Sequence, residues 1–150
     1  MTDYAKSRNF NREDGKVEHI TLYDNGQQLD ILGDAVCTWH EDRLVTPQGI
    51  GISKQRIRDK VKALNPEWYA DIERAKKEAK VTGAQDFRAL LNPAINYVSP
   101  SVEFFNGLNT LFRAATNQWV DSKVYDVYPS EGNSLAGDLE KAVAEFQRVN

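Results

Sequence analysis

Several kinds of material are scarce in this chain, and each scarcity closes off a class of protein. Cys37 is the single cysteine, so no intramolecular disulfide can form. No apolar run approaches the roughly 18–20 residues that a membrane-crossing helix needs. No basic-then-apolar leader opens the sequence, so a reducing compartment is expected and no membrane partner is. Glycine-rich phosphate loops are missing: Gly49-Ile50-Gly51 has neither the third glycine of a dinucleotide fingerprint nor the lysine of a P-loop, and is expected to be a hinge between sheet and helices. Charge of one sign is lacking too. The 19 basic and 22 acidic residues leave a net charge of −3, which argues against coating nucleic acid by bulk electrostatics. There is no internal repeat and no low-complexity tract.

What is present suits a self-supporting fold. The chain has 150 residues, of which 41% are hydrophobic and 10% aromatic, enough to bury a core without metals or disulfides. Residues 1–16 are almost wholly polar, with Tyr4 and Phe10 as their only large apolar side chains. Such a stretch cannot repay its own ordering entropy, so it is expected to be a flexible or partner-bound arm, with an arm folded back on its own domain as the alternative. Residues 17–150 are expected to form a single α+β domain.

The clearest local pattern runs from Val17 to Leu32, where two alternating segments flank Asn25-Gly26, a dipeptide suited to a type I′ turn. A two-residue turn pairs Leu22 with Leu29 and Ile20 with Ile31, while His19, Thr21 and Tyr23 lie opposite Leu32, Asp30 and Gln28. A second hairpin is expected from Ala35–Trp39 and Leu44–Thr46, giving a small antiparallel sheet in the N-terminal third.

After Pro47, Gly49 and Gly51 the periodicity changes to about 3.6, and a mostly helical body of four to five helices is expected. Ser53 caps a helix with Ile57, Val61 and Leu64 on its apolar face. Asn65-Pro66-Glu67 restarts the chain, with Asn65 as cap and Pro66 at the first helical position of a helix carrying Trp68, Ile72, Ala75 and Ala79, and Gly83 ends it. A short helix covers Gln85–Leu91, and Ile95–Val98 is expected to be extended. The longest helix follows Ser99-Pro100, with a stripe of Val102, Phe105, Leu108, Phe112, Ala115 and Trp119. Lys123–Tyr128 is read as a strand or a helix tail. The terminal helix, capped by Asn133 or Ser134, presents Leu135, Leu139, Val143 and Phe146.

Candidate chemistry is thin. Cys37 and His40 stand three apart, with His19 in a neighbouring strand and Asp34 or Asp42 as a conceivable further ligand. A lone C-x-x-H lacks the second ligand pair that makes zinc spacings specific, and Cys37 beside Trp39 is more simply a small core residue. Nothing marks the cysteine as an activated nucleophile. The adjacent acids Glu13-Asp14 and Glu41-Asp42 fall in an arm and a turn, where carboxylates usually face water. No catalytic residue, cofactor or metal is therefore expected.

The basic block from Lys54 to Lys80 is the richest remaining feature. It holds nine basic residues against five acidic, +4, leaving −7 for the rest. Lys54, Arg58 and Lys62 recur at i, i+4 and i+8, a spacing that can follow a phosphate backbone. A helix-turn-helix over Trp68–Leu91 has too few base-reading side chains in its second helix, and local pairs such as Glu73 with Lys77 offer a purely structural account. The same charge asymmetry can register subunits head to tail, with hairpin edges and the arm residues Tyr4 and Phe10 reaching a neighbour. The expectation is thus a non-enzymatic subunit of a larger assembly, contacting copies of itself or other protein subunits through Tyr4, Phe10, Lys54, Arg58 and Lys62. By analogy of size and style it is placed among tailed-phage virion proteins (head-tail connector or neck, tail, or decoration component) assembled in the host cytoplasm. The alternative is a small nucleic-acid-binding regulator using residues 54–80.

Overall fold

The computed structural model describes residues 2–14, 19–24, 26–32, 43–129 and 132–150. The fold is α+β, with small antiparallel sheets in the N-terminal half and a helical body after them, as the periodicity requires. The chain divides into two compact units, Met1–Arg56 with Glu103–Asn150, and Ile57–Val102.

In the first unit, helix α1 (Thr2–Ser7) is followed by a turn at Asn9, whose φ of 61° redirects the chain into strand β1 (Asn11–Asp14). Asparagine tolerates this left-handed conformation better than most residues. Strands β2 (His19–Asp24) and β3 (Gln27–Leu32) form a hairpin with Ile20 opposite Ile31 and Leu22 opposite Leu29, the register that turn and hydrophobic pattern demand. Gly26 supplies the positive φ, 80°, that the tight turn needs. Strand β4 (Arg43–Val45) sits between β1 and β5 (Gly51–Ile52) in a separate three-stranded sheet. Of the expected second hairpin, Ala35–Trp39 lies outside the described residues, and β4 pairs instead with Asn11–Asp14 and Gly51–Ile52. The expected hinge at Gly49-Ile50-Gly51 is the end of a β-turn plus a strand. Thr46 N–H donates to the Ile50 carbonyl at 2.9 Å, and Gly49, at φ 78°, donates back to Thr46.

The two long helices of this unit are α4 (Val102–Val120) and α5 (Leu135–Val149). Ser134 caps α5, its Oγ accepting from Gly137 N–H at 3.1 Å. The buried stripe of α4 is Phe104, Leu108, Leu111 and Ala115, which shares Leu108 and Ala115 with the expected one; of the other expected residues Val102 and Phe105 are exposed, and Phe112 and Trp119 are half-buried. Both stripes are apolar at helical spacing, so local pattern alone cannot choose between them. The choice follows the packing, with Phe104 against Phe146 at 5.6 Å between ring centroids. At Gly107 a Cβ would stand 2.9 Å from Val149 Cγ2, so the missing side chain lets α4 approach the end of α5. Lys123–Tyr128 is neither strand nor helix. It is a loop held by buried Asn117, whose Nδ2 donates to the Tyr125 carbonyl at 2.7 Å and whose Oδ1 accepts from Tyr125 N–H at 2.8 Å.

The second unit is built on α3 (Pro66–Thr82), preceded by α2 (Gln55–Leu64) and followed by a 3₁₀ turn, Phe87–Leu90. Ser53 caps α2, its Oγ accepting from Gln55 N–H at 3.2 Å. Pro66 occupies the first turn of α3, and Gly83, at φ 73°, closes the helix by donating to the Ala79 carbonyl. Asn65 precedes α3 without a side-chain cap bond. Its buried carboxamide instead donates to the carbonyls of Val61 and Val98, both at 2.8 Å, and accepts from Val98 N–H at 2.6 Å. The expected extended segment near Val98 has no strand partner among the described residues; Asn65 substitutes for one. The expected helix over Gln85–Leu91 shrinks to the 3₁₀ turn, started by Asp86 Oδ1 accepting from Arg88 N–H at 2.9 Å.

Candidate interaction surfaces

The residues expected to act in contacts fall in three places. The first is the N-terminal segment. Ala5 and Phe10 are buried, and Phe10 packs at 5.9 Å from the ring of Trp119. Tyr4 meets the same indole edge-on at 4.9 Å and donates its Oη to the Trp119 carbonyl at 2.9 Å. Arg8 pairs with Asp121 at 2.6 Å and lies over the Tyr4 ring, and its carbonyl accepts from Gln118 Nε2. Hydrogen bonding to Asp121, then to Tyr4, raises the pKa of the Arg8 guanidinium above its ordinary value. Residues 4–10 are therefore fastened to the end of α4, while β1 is held by β4. Phe10 has 1% of its surface exposed, whereas Tyr4 keeps 44%.

The second place is the β2–β3 hairpin. Among the described residues its strands pair only with each other. Leu22 and Leu29, opposite one another, are 46% and 55% exposed, and Tyr23 is 76% exposed. This apolar face and the outer strand edges were implicit in the alternating pattern, but nothing in the pattern tells whether a neighbouring element covers them.

The third is the basic block. Lys54 stands just before α2, while Arg58 and Lys62 lie exposed along it at the expected spacing. Arg56 is spent internally, its Nε donating to the Gly51 carbonyl at 3.2 Å. Arg74 is equally committed. It binds Asp71 at 2.7 Å, Glu78 at 2.5 Å and the Leu90 carbonyl at 2.6 Å. Glu73 pairs with Lys76 at 2.9 Å, at i+3, rather than with Lys77. The buried Asp71 also accepts from Asn92 N–H at 2.7 Å. That bond, and then Arg74, holds its carboxyl below the ordinary aspartate range. These contacts tie the segment after α3 back onto it, and leave a one-turn 3₁₀ element where a helix-turn-helix would need a recognition helix. Counted by unit, Ile57–Val102 carries eight basic and six acidic residues, +2, and the remaining residues carry −5.

Of the candidate metal and nucleophile residues, Asp34, Cys37, His40 and Asp42 lie outside the described residues, as does the side chain of His19. Among the described residues, no three His, Cys, Asp or Glu side chains group as metal ligands, and no helix is long and apolar enough to cross a membrane. Asp14 pairs with Arg43 at 3.3 Å across β1 and β4. No family model, no curated protein and no solved structure matches this chain.

Proposed function

We propose that this chain is a non-enzymatic structural subunit of a larger assembly, of the kind that forms the head-tail connector, tail or decoration layer of a tailed-phage virion. The observation that carries the reading is the β2–β3 hairpin, with Leu22, Tyr23 and Leu29 exposed and no third strand among the described residues. A two-stranded hairpin is at best marginally stable by itself, so an element that packs on its apolar face stabilises it. Strand addition from another subunit extends the sheet and covers the leucines in one step. The chain's length and its combination of a helical body with an exposed hairpin suit an adaptor or tail subunit, an argument by analogy of form.

Hydrogen–deuterium exchange across a range of protein concentrations tests this. The outward-facing amides of β2 and β3 are expected to gain protection as concentration rises, and Leu22→Thr with Leu29→Thr is expected to abolish the gain while leaving α4 and α5 protected. Hairpin amides that exchange equally fast at every concentration, with and without other subunits of the particle, would contradict it.

A further inference from the structure

The geometry points to a binding site for single-stranded nucleic acid on the Ile57–Val102 unit, where Lys76, Lys77 and Lys80 of α3 and Phe87 of the 3₁₀ turn line one cavity. The cavity has a volume of about 340 Å³, enough for a nucleotide, and Gln85 and the carboxylate of Glu73, which is paired with Lys76, complete its polar wall. Its position is a product of local folding. Gly83 ends α3, and the Asp86 cap then turns the chain so that Phe87 returns alongside the lysines it follows. Phe87 is half-buried, with Lys76 Nζ 5.8 Å and Arg88 Cζ 5.4 Å from its ring centroid.

Lysines near a helix C-terminus are favoured by the macrodipole, which accounts for their presence but not for an aromatic ring lining a cavity beside them. The charge balance adds a second argument. The nearby acids are already engaged, Glu73 with Lys76 at 2.9 Å, Glu78 with Arg74 and Asp86 with Arg88 at 3.4 Å. Lys77 and Lys80 make no ion pair among the described residues, although both reach Glu73 through space. Hydrogen bonding from Lys76, with this added field, depresses the Glu73 pKa, as a locally positive potential requires. Cations that follow a backbone beside a ring that stacks a base are the two elements of sequence-tolerant single-strand recognition. Duplex DNA keeps its bases stacked and cannot use the ring. The site shares no residue with the hairpin, so it stands whether or not the hairpin mediates assembly.

Fluorescence anisotropy with a labelled oligothymidylate and the full-length protein provides the test. Two phosphate contacts, from Lys77 and Lys80, give a salt slope of about −1.4, so affinity is expected to fall roughly sevenfold between about 50 mM and about 200 mM salt. Lys77→Glu with Lys80→Glu, both at exposed positions, is expected to remove binding at the lower salt. Phe87→Leu keeps apolar volume and is expected to weaken binding roughly tenfold by removing the stacking face. Circular dichroism confirms that each variant stays folded. Absence of binding at low salt, or equal binding by the lysine variant, would overturn the site. An unchanged affinity in Phe87→Leu, with heparin or a phosphopeptide competing as well as the oligonucleotide, would overturn the single-strand assignment in favour of a generic anion surface.

Discussion

Replacing Phe10 with alanine probes how the N-terminal segment is held. The ring is 1% exposed and packs on Trp119, while the flanking backbone joins β1 to β4 through Asn11 opposite Val45 and Arg12 opposite Leu44. Truncating a buried phenylalanine costs about 3–5 kcal/mol, from lost transfer energy and the cavity left behind. That is a large share of the roughly 5–15 kcal/mol that stabilises a domain. With a urea dependence of about 2 kcal/mol per molar, the midpoint should fall by about 2 M. Trp119 fluorescence reports the transition directly, because its ring lies against both Tyr4 and Phe10. Tyr4→Phe is the control. It keeps the ring and loses only the hydrogen bond to the Trp119 carbonyl, a loss of about 1 kcal/mol. A Phe10→Ala cost under about 1 kcal/mol, or an unmoved midpoint after deletion of residues 1–16, would refute the argument and return this segment to the status of a detachable arm.

Other expectations follow from the buried polar clamps. Asn117→Ala strips both backbone partners from Tyr125 and is expected to cost about 1–3 kcal/mol in chemical denaturation, with faster amide exchange over Ser122–Tyr128. Asn65→Leu, similar in volume but unable to bond Val98, is expected to destabilise the Ile57–Val102 unit selectively, seen as an earlier change in Trp68 fluorescence, since Trp68 stacks edge-on with Tyr97 at 5.3 Å. Asp71 is lowered from the ordinary aspartate pKa, so its contribution is fully present above that ordinary value and is lost as pH falls through the lower folded one. Asp71→Asn should therefore flatten the acid side of the stability profile below about pH 4 and leave its pH-dependence near neutrality unchanged. An acid limb identical in the two proteins would contradict that assignment.

How much of this was legible in the sequence depends on how local the cause is. The hairpin register is local: a two-residue turn at Asn25-Gly26 and strict alternation leave one pairing that places Leu22 opposite Leu29. Helix boundaries at Ser53, Pro66, Gly83 and Ser134 are local too, and each follows from cap or turn chemistry. The burial of Phe10 is not. Its partner Trp119 lies more than a hundred residues away, and two aromatics in a polar stretch look the same whether they reach a neighbour or fold back. The face of α4 was ambiguous because Val102, Phe105 and Phe112 are apolar at helical spacing just as Phe104, Leu108 and Leu111 are, and Phe146 decides between them. The cavity beside Phe87 was hidden for a different reason. Its lysines were visible as charge, but its ring became part of the site only when a four-residue 3₁₀ turn replaced the expected helix.

The solution mass of the intact protein, measured by light scattering over a wide concentration range and at low and high salt, bears most directly on the claim that this chain builds an assembly. A discrete oligomer that reverts to monomer in the Leu22→Thr, Leu29→Thr variant is the predicted result. A wild-type protein that stays monomeric at every concentration and salt, and takes up no partner strand on its hairpin, would contradict it.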